Sequence, residues 1–390
     1  MARTVPHALL FATPEPLPPQ RIVILRALYL GDLLCAMPAF RALRERFPSA
    51  ELTLIGLPWA AEFVARSPHL DCFLPFPGYP GLEDEPPPGA SDAFFATIRE
   101  SPYDLAIQMH GDGSASNGFV AALEARRTLG YRRTARDSRL DESLPYPDQE
   151  HETRRWLHLV AALGARKDDL RPIFPITAAE MGTATALLAG HPAHDRARPR
   201  ALIGLHVGAK DPTRRWPTER FAALGNLLWA QHGAALVLTG GAAERPLAEA
   251  VRRALHAPVL DLVGKTDLGQ FAATIAQLDL LITNDTGASH LAAATSTPSV
   301  ILFGPTRPEQ WAPLNRRCHR ALDACALVPG SADGADALRQ LPVGPVLAAC
   351  DELLRLRCSD RIGQATDRLI PGATRVNRGE GEDSWVAYES

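Results

Sequence analysis

Apolar and polar positions along the chain alternate in blocks rather than singly. Residues 22 to 25, within RIVIL, form a short continuous apolar run, the mark of a strand buried on both faces of a parallel sheet. LLCAMPAFRALRERF follows with a helical period that ends at Pro48, and ELTLIG is again strand-like. The opening is therefore β-α-β. Residues 75 to 92, rich in Pro, Gly and acid, read as a loop, and DLAIQMHGDG as a strand entering a Gly-containing turn. The segment from Arg126 to Pro147 is polar and basic with few periodic apolar positions. HETRRWLHLVAALGA is an amphipathic helix.

A second series begins near Arg200. ALIGLHVGA, AALVLTGG, VLDLVG, LDLLITND and SVILFG are strand-like, separated by helical RFAALGNLLWAQHG, PLAEAVRRALHA and LGQFAATIAQ. Alternation of this kind predicts an α/β protein of two Rossmann-like halves with mostly parallel sheets facing a central cleft. The expected divisions are an N-terminal extension over 1–20, one domain over 21–175 and a second over 176–358. HPAHDRARPRA is the linker-like stretch between them. The last helix is expected at 344–358, and a polar tail at 359–390 reads as disordered.

At 390 residues the chain suits two cores rather than one. A formal charge of −3 argues against nucleic acid as a partner, which calls for a basic footprint. No apolar run reaches the ~18–20 residues of a membrane-spanning helix. MARTVPHALLFATPEPLPPQ is a poor signal peptide, so the expected location is cytoplasmic. Six cysteines are present, four of them (Cys318, Cys325, Cys350 and Cys358) after residue 317. A small metal site is one reading of these four. No pair has CxxC spacing, and reduced, idle thiols are the expectation.

Candidate chemistry sits where strands end. In LLITNDTGASHLAAA the strand Leu278–Thr283 runs into Asp285, Thr286 and Gly287, and a helix follows from near Ala288. The N–H groups and dipole of such a helix start suit phosphate, while the Asp285 carboxylate suits sugar hydroxyls. His290, one turn in, is open as a core residue, a phosphate donor or a sugar contact. HVGAKDPTRRWP places Gly208, Lys210, Arg214 and Arg215 on a sheet-edge loop suited to a diphosphate. Alone, it is equally a solvated basic loop. LTGGAAE offers Thr239, Gly240, Gly241 and Glu244 to a nucleotide, though a TGG turn is weak evidence by itself. Asp32, after Gly31, is either an N-cap or a base that takes a proton from an alcohol. No Asp-x-Asp occurs, so a metal-clamped sugar nucleotide is not signalled, and fixed cations would take that role.

These motifs together resemble glycosyltransferase family 9, the ADP-heptose:lipopolysaccharide heptosyltransferases. NDTGASHLAAATSTPSVILFGPT is similar to the family's D-T-G-x-x-H turn and G-P-T element, RRWP to its basic-x-W-P, and GDLLCAMPAF to its G-D-(five residues)-P. The resemblance implies a GT-B fold whose last helix crosses back to the first domain. It also implies an ADP-sugar donor without further cofactor, no metal, and a glycan or lipid-linked acceptor with peripheral contact at the inner membrane. It assigns Asp32 as the base, Arg214 to the diphosphate, and Asp285, Thr286 and Gly287 to sugar and phosphate. Residues 27–30 and the stretch after G-P-T depart from the family's usual pattern, which leaves the acceptor open. A nucleotide-sugar epimerase of the same architecture and a non-catalytic two-lobed binding protein are the alternatives.

Overall fold

A computed structural model of the protein describes residues 17–82, 89–191 and 201–356. The first sixteen residues, most of the linker-like stretch (192–200), Cys358 and the tail lie outside the described residues. The first half comprises β1 (Arg21–Leu25), α1 (Leu30–Arg46), β2 (Glu51–Gly56), α2 (Ala60–Arg66), β3 (Cys72–Pro75), α3 (Ala90–Glu100), β4 (Leu105–Gln108), α4 (Ser116–Ala122), β5 (Thr128–Arg132), β6 (Glu142–Pro145) and α5 (Glu152–Ala161). The second opens with α6 (Ala178–Ala189), β7 (Leu202–His206), α7 (Thr218–His232), β8 (Ala235–Thr239), α8 (Arg245–Ala254), β9 (Val259–Asp261), α9 (Leu268–Gln277) and β10 (Leu280–Asn284). It ends with α10 (Gly287–Ala294), β11 (Ser299–Phe303), α11 (Pro308–Trp311), β12 (His319–Asp323), α12 (Ala324–Leu327), α13 (Gly334–Gln340) and α14 (Val343–Leu356).

The strands form two six-stranded sheets, β3-β2-β1-β4-β5-β6 and β12-β11-β10-β7-β8-β9, and every pairing is parallel. The two orders are the same doubly wound topology. Each reverses direction once, between β1 and β4 in the first sheet and between β7 and β10 in the second. Crevices at such reversals, outside the carboxyl ends of the strands, are where open α/β sheets bind ligands. Apolar runs occupy the centres: Ile22 to Leu25 and all of β10 are buried. Helices cover both faces, as an all-parallel sheet requires.

Three places differ from the sequence reading. The basic segment 126–147 contains β5 and β6, although it has little apolar periodicity. β6 is an edge strand of half-buried residues, so it carries no strong pattern, and β5 owes its burial to neighbours distant in sequence. The 75–92 loop gives way to α3 at Ala90. Helix α14 packs on α7, β10, β11 and β12 through Val346, Ala349, Cys350 and Leu353, so over its described length it stays with the second sheet instead of crossing back.

The halves meet elsewhere. Helix α1 lies between its own sheet, α5 and α10, which accounts for its apolar positions nearly all round. Arg66 of α2 reaches Glu180 of α6 at 3.0 Å. No helix among the described residues is long and apolar enough to cross a membrane.

Candidate active site

The reversal point of the first sheet is built on Arg26, which follows β1 directly. Its side chain is fully buried. It donates from Nε and Nη2 to the Asp32 carbonyl at 2.9 and 2.7 Å and from Nη1 to the Met109 carbonyl beyond β4 at 2.6 Å. The strand end, the first turn of α1 and the β4 turn are thereby tied together. Asp32 lies in that first turn, and its Oδ2 accepts the Tyr29 amide at 3.2 Å. It is not the N-cap, since the helix starts at Leu30. Only a fifth of its side chain is exposed. Burial pushes its carboxyl up to about 6; Arg26 and Arg214 oppose the rise and Glu152 adds to it. A carboxyl so raised is half-ionised near pH 6 and mostly ionised at neutrality, so it can accept a proton there.

The facing reversal point carries the cations. Asn284, the last residue of β10, accepts the Trp216 amide at 3.0 Å and donates to the carbonyls of Val207 and Gly208 at 3.0 and 3.2 Å. It thus holds the RRWP loop onto the end of β7. Arg214, in a single 3-10 turn, lies 3.6 Å from the Asp285 carboxylate, which is buried and accepts the Thr306 hydroxyl at 2.6 Å. Lys210 reaches across the cleft to lie 3.6 Å from the centre of the Tyr29 ring. The charge of Arg214 is also felt at Asp32. Asp32 and these cations converge on one cleft.

Other predicted site residues have structural duties. Arg215 donates back to the Ala209 carbonyl at 2.8 Å and braces its own loop. Thr239 is buried, its hydroxyl 3.3 Å from His206 Nδ1. Thr286 caps α10 by accepting the Ala288 amide at 3.2 Å, so its hydroxyl is already engaged. Glu244 accepts the Gly241 amide at 2.7 Å and lies folded over Gly208, where an added Cβ would come within 1.5 Å of the carboxylate. Gly240 lies beneath the same carboxylate. Gly287 abuts Leu30 of α1. His290 is buried between the halves, its Nδ1 3.5 Å from Cys35 Sγ and its ring 6.4 Å from that of Trp311; burial lowers its basicity. It faces α1. A cavity of about 450 Å³ lies beside it, walled in part by residues 170–176.

Sequence reasoning overlooked Arg26, Asn284 and Glu152. For Arg26 and Asn284 the usable signal was a charged or amide residue at the very end of a buried strand, where a solvated side chain is not expected; Glu152, at the start of α5, carries no such signal. Cys318 and Cys350 are buried and Cys325 is exposed. Among the described residues no three His, Cys, Asp or Glu side chains gather as a metal site.

Known proteins share this sequence and fold. The family model "Glycosyltransferase family 9 (heptosyltransferase)" matches residues 92–324, more than half of the chain. The chain belongs to glycosyltransferase family 9. Lipooligosaccharide heptosyltransferase 2 of Haemophilus influenzae is 28% identical over 314 residues, covering 75% of this chain and 86% of the relative. Lipopolysaccharide heptosyltransferase 2 of Escherichia coli is 27% identical over 312 residues, covering 76% and 86%. A family 9 glycosyltransferase from Veillonella parvula superposes with a TM-score of 0.71 at 21% identity, covering 86% of this chain and 97% of that structure. The E. coli ADP-heptose lipopolysaccharide heptosyltransferase II gives 0.68 at 22%, covering 87% and 100%. These likenesses establish the GT-B fold, two Rossmann-like domains facing a cleft. The glycosyltransferase thus carries Asp32 on one domain and Lys210, Arg214 and Asp285 on the other.

Proposed function

We propose that this family 9 enzyme transfers heptose, with inversion, from ADP-heptose to a hydroxyl of the lipopolysaccharide inner core. The observation that carries the reading is the convergence of Asp32 with Arg214 and Lys210 from opposite sheet-reversal points. The acceptor hydroxyl approaches the anomeric carbon from the face opposite the diphosphate and gives its proton to Asp32. Arg214, Lys210 and the amino end of α10 neutralise the departing ADP, and Asp285, fixed by Thr306, orients donor hydroxyls. Closure of the domains excludes water, whose attack would waste the donor. The donor is the only small molecule this scheme needs. A lipid-linked acceptor places the enzyme on the cytoplasmic face of the inner membrane, held there peripherally.

The test is incubation of the enzyme with ADP-heptose and truncated core acceptors, with products read by mass spectrometry. One added heptose and stoichiometric ADP are expected. An isomerised ADP-sugar would indicate an epimerase, and bound but unchanged donor with every acceptor a two-lobed binding protein.

A further inference from the structure

The Arg26 guanidinium lies 3.9 Å from Asp32 Oδ1, just beyond hydrogen-bonding distance. A buried arginine that close to a carboxylate ordinarily closes on it as a short, charge-assisted pair. Here it does not, because both hydrogens of Nη2, the nitrogen nearest Oδ1, are already engaged. Two carbonyls take Nε and Nη1, and Nη2 is shared between the Asp32 carbonyl at 2.7 Å and Glu152 Oε1 at 3.1 Å. The guanidinium also stacks on Trp156, 4.7 Å from the ring centre. Glu152 is itself buried and fixed: Trp156 Nε1 donates to it at 2.7 Å, and Arg155 binds its other oxygen.

We propose that Glu152 is a positioning residue for the transfer reaction: by engaging Arg26 it holds that cation off the Asp32 carboxylate, whose Oδ1 is left without a short charge-assisted bond and available to the acceptor's proton. The proposal rests on the reading of Asp32 as the base. The groups facing Asp32 are Arg26 from the end of β1, Glu152 from α5 and Arg214 from the opposite domain, with the Tyr29 amide from its own helix start. Cys35 lies one turn along α1, and His290 packs on Gly31. Of these charges only Glu152 favours the protonated acid, and it does so while neutralising the arginine that disfavours it.

Glu152 is the residue that follows His151 at the start of α5. His151 Nε2 lies 3.0 Å from the Ala312 carbonyl of the second half, and Arg307 donates to Gln149 at 2.7 Å. Arg307 follows Thr306, the residue that holds Asp285. The counter-charge of the base is therefore anchored to the same turn that fixes the donor carboxylate.

The experiment measures kcat/KM for the acceptor against pH, at saturating donor, in Glu152→Gln. Gln keeps the acceptor oxygen for Trp156 but not the charge. The acid limb should move down by about one pH unit, as a closer cation demands, and the plateau should fall about tenfold or more. The donor KM should change by less than about twofold, since no donor-side charge is altered. The double variant Arg26→Gln/Glu152→Gln removes cation and counter-charge together and guards against loss of folding in the single variant. Its acid limb should return to the wild-type position or rise above it. Unmoved limbs in both variants, with Asp32→Asn inactive, overturn the proposal and spare the base. Wild-type turnover in Asp32→Asn overturns the base itself.

Discussion

A Cβ added to Gly31 would lie 2.7 Å from Cδ2 of His290, so the first turn of α1 and the helix of the opposite domain meet with no room for a methyl group. Asp32 is the next residue. Its position relative to the donor-side loops is therefore set by a contact between domains. Gly31→Ala should push α1 and α10 apart and lower turnover by about 10²-fold, the usual cost of an ångström-scale misplacement. His290→Ala in that background should recover much of the loss. A double-mutant cycle on kcat checks this; additive losses would mean that the contact does not position Asp32.

Ionised Asp32 weakens the fold. Its carboxyl is raised from 3.8 to about 6, so its contribution to stability is complete below about pH 3.8 and is lost as pH rises through about 6. A rise of that size amounts to roughly 3 kcal/mol at most. Asp32→Asn should therefore melt above the wild type at pH 8, and the gap should narrow toward pH 5. Thermal unfolding at both pH values is the check, and a variant less stable at pH 8 would contradict the buried-charge account.

Asp285 and Arg214 were expected to serve sugar and phosphate separately, yet they stand 3.6 Å apart. Removing the carboxylate should release Arg214. Asp285→Ala should then bind ADP as tightly as the wild type or more tightly, while a non-hydrolysable ADP-heptose analogue loses about 10–150-fold, the worth of one charged hydrogen bond. Arg214→Ala should weaken both ligands alike. Calorimetric titration separates the cases, and equal ADP losses in the two variants would refute the division of roles.

Much of this was legible in the chain because buried parallel strands are short apolar runs and their carboxyl ends are abrupt. Asp285 and Lys210 stand out at such ends. β5 and β6 did not, since their place in the sheet is set by pairing with β4 and by a half-buried edge rather than by periodicity. Arg215 and Arg214 look interchangeable in RRWP, and only the direction each side chain takes tells the one that braces its own loop from the one that faces Asp285. Glu152 is 120 residues from Asp32 in the chain, and no local pattern links the two.

In the proposed mechanism Lys210, Arg214 and the start of α10 supply the positive charge that the departing diphosphate needs. Transfer should accordingly persist in excess EDTA. Activity abolished by EDTA and restored by Mg²⁺ or Mn²⁺ would contradict the assignment of these groups, and restoration by Zn²⁺ or Fe²⁺ alone would point to a structural metal.

The most direct test of the central claim, heptose transfer with Asp32 as the base, is single-turnover transfer by Asp32→Asn with ADP-heptose and the inner-core acceptor. Donor affinity should match the wild type, and transfer should slow by about 10²–10⁴-fold, the usual worth of general-base catalysis. Transfer at the wild-type rate, with donor bound normally, would show that Asp32 does not take the proton.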